Sequence, residues 1–313
     1  MKSAEVTILV VLTITTDFVM GELKGAFVMP HGGIALDPSK FHTTNKTALE
    51  EAWKIHTACA QIGSIVTELQ PDLILLSTPH GISDINNFLF YLNPKMEGYA
   101  NTDNTGPPPY VSISVNSDVN VSRDLVQHFG STRKVSGLSA YGPPGESTEP
   151  FPLRWGEVIP LHFMPNLNQT KVVILSQPSR RYNDDMPTMI PELLKLGSDI
   201  GKYLEKEQKT VVVIISADLA HTHSKDGPYG YSDAAQPFDD ACGKWVENLD
   251  EQSLTKEAAS YVIKAKSCGY TGLVMLQGLL SASSSGITSW QSQLYANYHP
   301  SYYGMMVASF LRK

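Results

Sequence analysis

Three histidines each close a β-rich run: His31 follows residues 25–30, His80 follows residues 73–79, and His221 follows residues 211–217. In an open α/β sheet, ligand and metal sites gather where strands end, so side chains distant in sequence can meet there. Taken singly, each histidine reads as a hydrogen-bonded core residue. Their shared position instead points to one metal-centred site. Two neutral imidazoles and one anionic ligand on one face of a six-coordinate ion leave positions open for substrate and O2, the arrangement of non-haem Fe(II) oxygenases. The anion has three candidates by position: Asp84, Asp218 and Cys268. Asp218, three residues before His221, can alternatively hold that ring in one tautomer.

The elements needed to position these residues are legible along the chain. Residues 47–68 carry a capping-box signature at Thr47 and Glu50, and Leu49, Trp53, His56 and Ala60 recur at helical spacing, which places His56 on the packing face. Residues 86–109, rich in Asn and Pro, read as a long loop with little regular structure. Strands are expected over 111–115 and 172–175, and helices over 121–129 and 187–207, with a Gly-Pro-Pro-Gly break at 142–145 before Trp155. Helices over 238–248 and 255–266, an apolar stretch over 272–280 and closing strands over 292–298 and 302–311 complete the pattern. Alternating strands and helices with no repeat or linker predict an α/β fold: a single domain over 22–313 with a central mixed, largely parallel sheet flanked by helices and the active site at strand C-terminal ends.

Composition bounds the function. The 313 residues are 42% hydrophobic and 18% charged, enough for a substantial core. A formal charge of −7, with no basic run longer than Arg180-Arg181, argues against nucleic acid or an anionic membrane as partner. A small molecule is the better expectation, and nothing in the sequence argues against a homo-oligomer. Cys59, Cys242 and Cys268 are too few and too scattered for a disulfide framework or a CxxC zinc site. Residues 1–21 read equally as a short secretory signal or as an N-terminal extension with strand character; the apolar run is too short to span a bilayer. Sequons at Asn45, Asn120 and Asn168 suit secretion and also arise by chance, so a cytoplasmic and a secreted location stay open.

Four motifs occur in order: Pro30-His31-Gly32-Gly33, Ser77-Thr78-Pro79-His80-Gly81, Ile215-Ser216-Ala217-Asp218-Leu219-Ala220-His221 and Gly227-Pro228-Tyr229-Gly230-Tyr231. Together with residues 155–161 and 267–269, they resemble the catalytic chains of the class III extradiol ring-cleavage dioxygenases and their Memo-type relatives. The resemblance implies that His31 and His80 are metal ligands, that His221 is the catalytic acid/base with Asp218 beside it, and that a catechol-type ring is opened with O2 on Fe(II). Cys268 falls where ring-cleaving members carry a glutamate ligand and Memo-type members a cysteine. A thiolate suits copper or zinc at least as well as Fe(II), so the alternative is a Memo-like metal-binding redox or interaction protein. Trp155 stands where active members tend to have a histidine; it cannot shuttle a proton but can wall a ring-shaped substrate, as can Tyr229. Tyr231, Tyr302 and Tyr303 could border the pocket but read first as core or surface packing residues, and His223 and His299 read as surface or loop histidines.

Overall fold

The computed structural model describes residues 22–102, 111–182, 186–282 and 286–313. Residues 1–21, and with them the signal-like segment, lie outside the described residues. In chain order the elements are β1 (Leu23–Met29), α1 (Lys46–Leu69), β2 (Leu73–Thr78), β3 (Phe88–Tyr91), β4 (Lys95–Ala100), β5 (Val111–Asn116), α2 (Val119–Phe129), β6 (Val135–Leu138), β7 (Phe151–Leu153) and α3 (Trp155–His162). They continue with β8 (Lys171–Ser176), α4 (Ile190–Leu204), β9 (Val211–Ser216), α5 (Ala235–Asn248), α6 (Ala259–Ala265), α7 (Tyr270–Ser281), β10 (Trp290–Tyr298) and β11 (Met305–Arg312).

A sheet of eight strands in the order β10-β11-β1-β9-β2-β8-β3-β6 forms the centre. Its middle four, β1, β9, β2 and β8, are parallel to their neighbours, while β11 and β3 join on either side antiparallel. Both faces of the middle strands are covered, so their sequences are continuous apolar runs rather than alternating ones. The two-residue period survives in the packing. Ala26, Val28, Leu73, Leu75, Val213 and Ile215 face the layer of α4, α5 and α7. Phe27, Met29, Ile74, Leu76, Val212 and Ile214 face the layer of α1, α3 and the small sheet β5-β4-β7. The expected α/β architecture is therefore the one found, and no helix among the described residues is long and apolar enough to cross a membrane.

Local expectations differ from the structure in four places. The passage over 86–109 contains β3 and β4; β3 is a four-residue apolar run that pairs with β6 and β8, and β4 is the middle strand of the small sheet. Residues 103–110 lie outside the described residues. α1 is capped by Asn45, whose side-chain oxygen accepts from the Ala48 amide at 3.3 Å, so Thr47 already lies inside the helix. The buried stripe of α1 runs through Ala48, Ala52, Ile55, Cys59, Ile62 and Val66, one step round from the expected face, and leaves Trp53 44% exposed. Small residues bring this helix close to the sheet and push the indole to the rim. Finally, α3 begins directly at Trp155, and the helix expected over 255–266 opens as a π-helical turn (Ser253–Ala258) before α6.

The central strands carry the stability. Ile214, fully buried in β9, should cost about 3 kcal/mol when cut to Ala. Ile113 in β5, only half-buried, should cost about 1 kcal/mol or less. Urea denaturation midpoints of Ile214→Ala and Ile113→Ala compared with the parent check the ranking; equal costs would contradict it.

Candidate functional site

Because β9 lies between β1 and β2, the carboxyl ends of these three parallel strands are neighbours, and the segments that leave them meet. His31 leaves β1, His80 leaves β2, and Asp218 and His221 leave β9. Cys268, just before α7, comes up beneath them. The ligand atoms of His31, His80 and Cys268 all lie within 4.8 Å of one another. His31 and Cys268 are buried and His80 is half-buried.

Hydrogen-bond bookkeeping fixes the His31 tautomer. The Ser216 hydroxyl donates its one proton to the Gly156 carbonyl at 2.6 Å, so at 2.9 Å from His31 Nδ1 it must accept. Nδ1 thus carries the hydrogen and Nε2 presents a lone pair, 3.2 Å from Cys268 Sγ and 3.3 Å from Asp218 Oδ2. Asp218 Oδ1 accepts the backbone N–H groups of His31 at 3.0 Å and Gly32 at 3.3 Å, which ties the end of β1 to the end of β9. His221 is ordered in the same way: Nδ1 donates to the Leu219 carbonyl at 3.0 Å, leaving Nε2 as an acceptor.

Burial controls the charges. It holds His31 well below the usual imidazole range, His80 at about 3 and His221 at about 4; the neighbouring histidines and the Arg181 cation add to the effect on His31 and His80. All three rings are neutral near pH 7. Burial likewise pushes the Cys268 thiol up, with the Asp218 carboxyl adding to the shift, and raises Asp218 itself to about 7 against the pull of its two backbone donors. The His31 lone pair therefore faces a sulfur and a carboxyl oxygen, a grouping that is favourable only with a proton or a cation among them. Two imidazole nitrogens and a sulfur suit a transition-metal ion of borderline or soft character.

A cavity of about 660 Å³ stands over the cluster, bounded by His31, His80, His221, Trp155, Tyr302 and Tyr303 among others. A second, of about 340 Å³, reaches Cys268 from the other side, and His80, His221 and Tyr229 border both. The Trp155 ring is tilted 30° against His80, with centroids 5.1 Å apart. That approach needs Gly156, where a Cβ would meet Thr78 Oγ1 at 2.7 Å and His80 Cβ at 2.9 Å. Tyr303 stacks on His221 at 5.9 Å and 23°.

The structure thus gathers His31, His80, Cys268, Asp218, His221, Trp155 and Tyr229. Asp84 stands apart, accepting the Asn86 and Asn87 amides at 2.7 Å in a local turn, so it caps backbone rather than joining the cluster. Tyr302 and Tyr303, read first as packing residues with the pocket as the alternative, line the cavity. His223, expected to be a surface or loop histidine, lies in the connection between β9 and α5, but its side chain is only 4% exposed and bonds Asp239 at 2.8 Å, because the hairpin of β10 and β11 folds over it. Three residues have roles that the sequence reading did not assign: Ser216, Arg181 and Glu157. Arg181 is buried and donates to the carbonyls of Pro79, Gln177 and Pro178, clasping the ends of β2 and β8. Only Ser216 gave a signal, its place next to Ala217-Asp218.

Residues 25–308 match the family described as the catalytic LigB subunit of aromatic ring-opening dioxygenase. The chain belongs to that family. Protein CA_C1420 of Clostridium acetobutylicum is 22% identical over 264 residues, covering 82% of this chain and 52% of that protein, so the chain spans about half the length of this relative. The crystal structure of uncharacterized protein JW3007 from Escherichia coli K12 superposes with a TM-score of 0.55 at 11% identity, over 91% of this chain and 99% of that one. This likeness concerns the fold alone.

Glu157 lies behind the cluster, fully buried, accepting from Tyr91 Oη at 3.1 Å and the Arg154 amide at 3.0 Å. Burial raises its carboxyl to about 7 from an ordinary 4.5. Between those values the folded state holds a proton the unfolded state has lost, so this group's contribution is full below pH 4.5 and is lost as pH rises through 7. Glu157→Gln should therefore gain thermal stability relative to the parent as pH rises from 4.5 to 7 and level off above. Melting curves across that range test this; a pH-independent difference would contradict it.

Proposed function

We propose that the chain is a metal-dependent oxidoreductase of the extradiol type, in which His31, His80 and Cys268 hold one ion and a catechol-type ring is opened with O2. The observation that carries this reading is the meeting of the His31, His80 and Cys268 donor atoms within 4.8 Å beneath a cavity walled by aromatic rings. Iron(II) is the metal the family favours, and when bound it would bring the diol oxygens and O2 together so that the carbon–carbon bond beside the diol is cleaved.

The chain's own residues do the rest. Ser216 keeps His31 Nε2 free of hydrogen, so the ring is a ready ligand without a proton to lose. Trp155 and Tyr303 offer flat faces between which an aromatic substrate is held and water excluded. Neutral His221, with Nδ1 committed to Leu219, takes a proton from a substrate hydroxyl at Nε2 and returns it later. Asp218 holds the loop after β1 in place through two amides and, once ionised, adds negative potential beside the cluster.

A second reading is favoured by one specific observation, the Cys268 thiol. Two imidazoles and a thiolate are a soft set that suits copper(I) as well as iron(II), and a Memo-like metal-binding redox protein without ring cleavage would need only the cluster.

Anaerobic loading with iron(II), exposure to air and a panel of catechols, followed by the yellow absorbance of ring-opened product, tests the first reading. Under it, His221→Ala should lower turnover about 100-fold or more while bound metal per chain stays constant, and His31→Ala and Cys268→Ser should lose the metal. Tight copper(I) binding with no yellow product from any catechol would support the second. Unchanged metal content in both ligand variants would remove the site. Independently, Ser216→Ala should weaken zinc or cobalt binding about 10- to 100-fold and Ser216→Thr much less, as competition with a chromogenic chelator would show.

A further inference from the structure

Asp239, on α5, is a buried carboxylate that touches neither cavity, and nothing in the proposed chemistry uses it. Its two oxygens reach both flanks of His221. Oδ1 accepts the Ala220 amide at 2.9 Å, and Oδ2 accepts the His223 Nε2 hydrogen at 2.8 Å. Gly304 makes room for it, since a Cβ there would stand 2.1 Å from Oδ2. The same glycine accepts the Leu219 amide and donates to the Ala220 carbonyl, both at 2.7 Å, while the His223 amide donates to the Tyr302 carbonyl at 3.1 Å. His299 lies flat on His223, centroids 3.9 Å apart and planes within 4°. The carboxylate thereby ties α5 to both Ala220 and His223, while the backbone bonds of Gly304 and Tyr302 tie the same segment to the turn carrying Tyr303, the ring stacked on His221.

An apolar side chain of similar volume would fill this space without the cost of desolvating a carboxylate. What the carboxylate adds is direction: two acceptors in a fixed plane, matched to two donors, the Ala220 amide and the His223 ring, on either side of residues 221–222. We propose that Asp239 is a positioning residue that, through the Ala220 amide and the His223 ring, sets the orientation of the His221 imidazole over the metal cluster. This rests on the reading of His221 as the proton acceptor, and it extends that reading to a layer of residues that contacts neither substrate nor ion. His223 transmits the constraint on one side of His221 and the backbone amide on the other, so the ring has a single seat against Tyr303.

The test has an arm that does not depend on catalysis. In the metal-free protein, the His221 Hε1 and Cε1 resonances feel the ring current of Tyr303, so a change in the orientation of the two rings moves them. Asp239→Asn and His223→Leu should shift those resonances. His223→Gln, whose amide can still donate to Asp239, should leave them near the parent values, as should Lys244→Ala, which removes an exposed ion pair on the same helix. In the iron-loaded protein, Asp239→Asn should lower kcat about 10-fold with KM for the catechol and bound iron unchanged. His221 resonances identical to the parent in Asp239→Asn and His223→Leu would overturn the proposal whether or not any catechol is opened. A resonance shift together with no ring opening in the parent would leave the positioning role standing and count against the proposed reaction alone.

Discussion

Desolvation at the ends of buried parallel strands is the constraint on which the site depends. Strands covered on both faces place their carboxyl ends deep under the helical layers, and groups attached there lose water on most sides. Desolvation favours the neutral form of each group, so the imidazoles of His31, His80 and His221 lose their positive charge while the Cys268 thiol and the Asp218 carboxyl tend to keep their protons. Histidine is thereby ready to bind a cation, whereas the thiol is not until one arrives. A metal bound through Cys268 would displace the proton from sulfur, so its affinity would rise with pH.

Neutral groups alone do not hold a geometry, and here backbone does that work. Asp218 and Asp239, on either side of the bend that carries His221, each accept two hydrogen bonds, and three of the four come from main-chain amides. A carboxylate on one segment that accepts from donors on another fixes the distance between those segments more firmly than apolar contact does. Asp218 joins the β1 end to the β9 end in this way, Asp239 joins α5 to the segment after β9, and backbone bonds of Gly304 and Tyr302 add the turn before β11 to the frame. Trp155 enters the same frame through Ser216, which bridges the His31 ring to the first turn of α3.

Much of this was readable from the chain, for a physical reason. The runs ending at His31, His80 and His221 are mostly apolar and β-branched in part, and a parallel sheet gathers such ends on one side whatever the connections do. What escaped reading depends on contacts between segments. No pattern announces that the Ser216 proton goes to Gly156, or that the hairpin of β10 and β11 covers His223. β3 has only four residues and sits among asparagines, so its strand character emerges only when β8 and β6 supply partners. In α1 the large residues Leu49 and Trp53 suggested the buried face, yet Ala48, Ala52 and Ala58 hold it because small side chains permit the closest approach to the sheet. Size misled where proximity decided.

Charge counting sharpens what the thiol means for the chemistry. Two neutral imidazoles and one thiolate carry a single negative charge, which balances a monovalent ion and leaves a divalent one with an excess positive charge in a poorly solvated place. Buried Arg181, which adds its own cation near His80 and Cys268, increases that excess. Asp218, 3.3 Å from His31 Nε2 and poised at about 7, is the group that can answer it by ionising. A divalent ion with a catechol therefore draws on Asp218, or on the diol's own oxygens, for neutrality, whereas copper(I) needs neither. The protonation of Asp218 and the identity of the metal are thus one question, and the carboxyl that ties β1 to β9 is also the part of the frame whose charge responds to what the cluster holds.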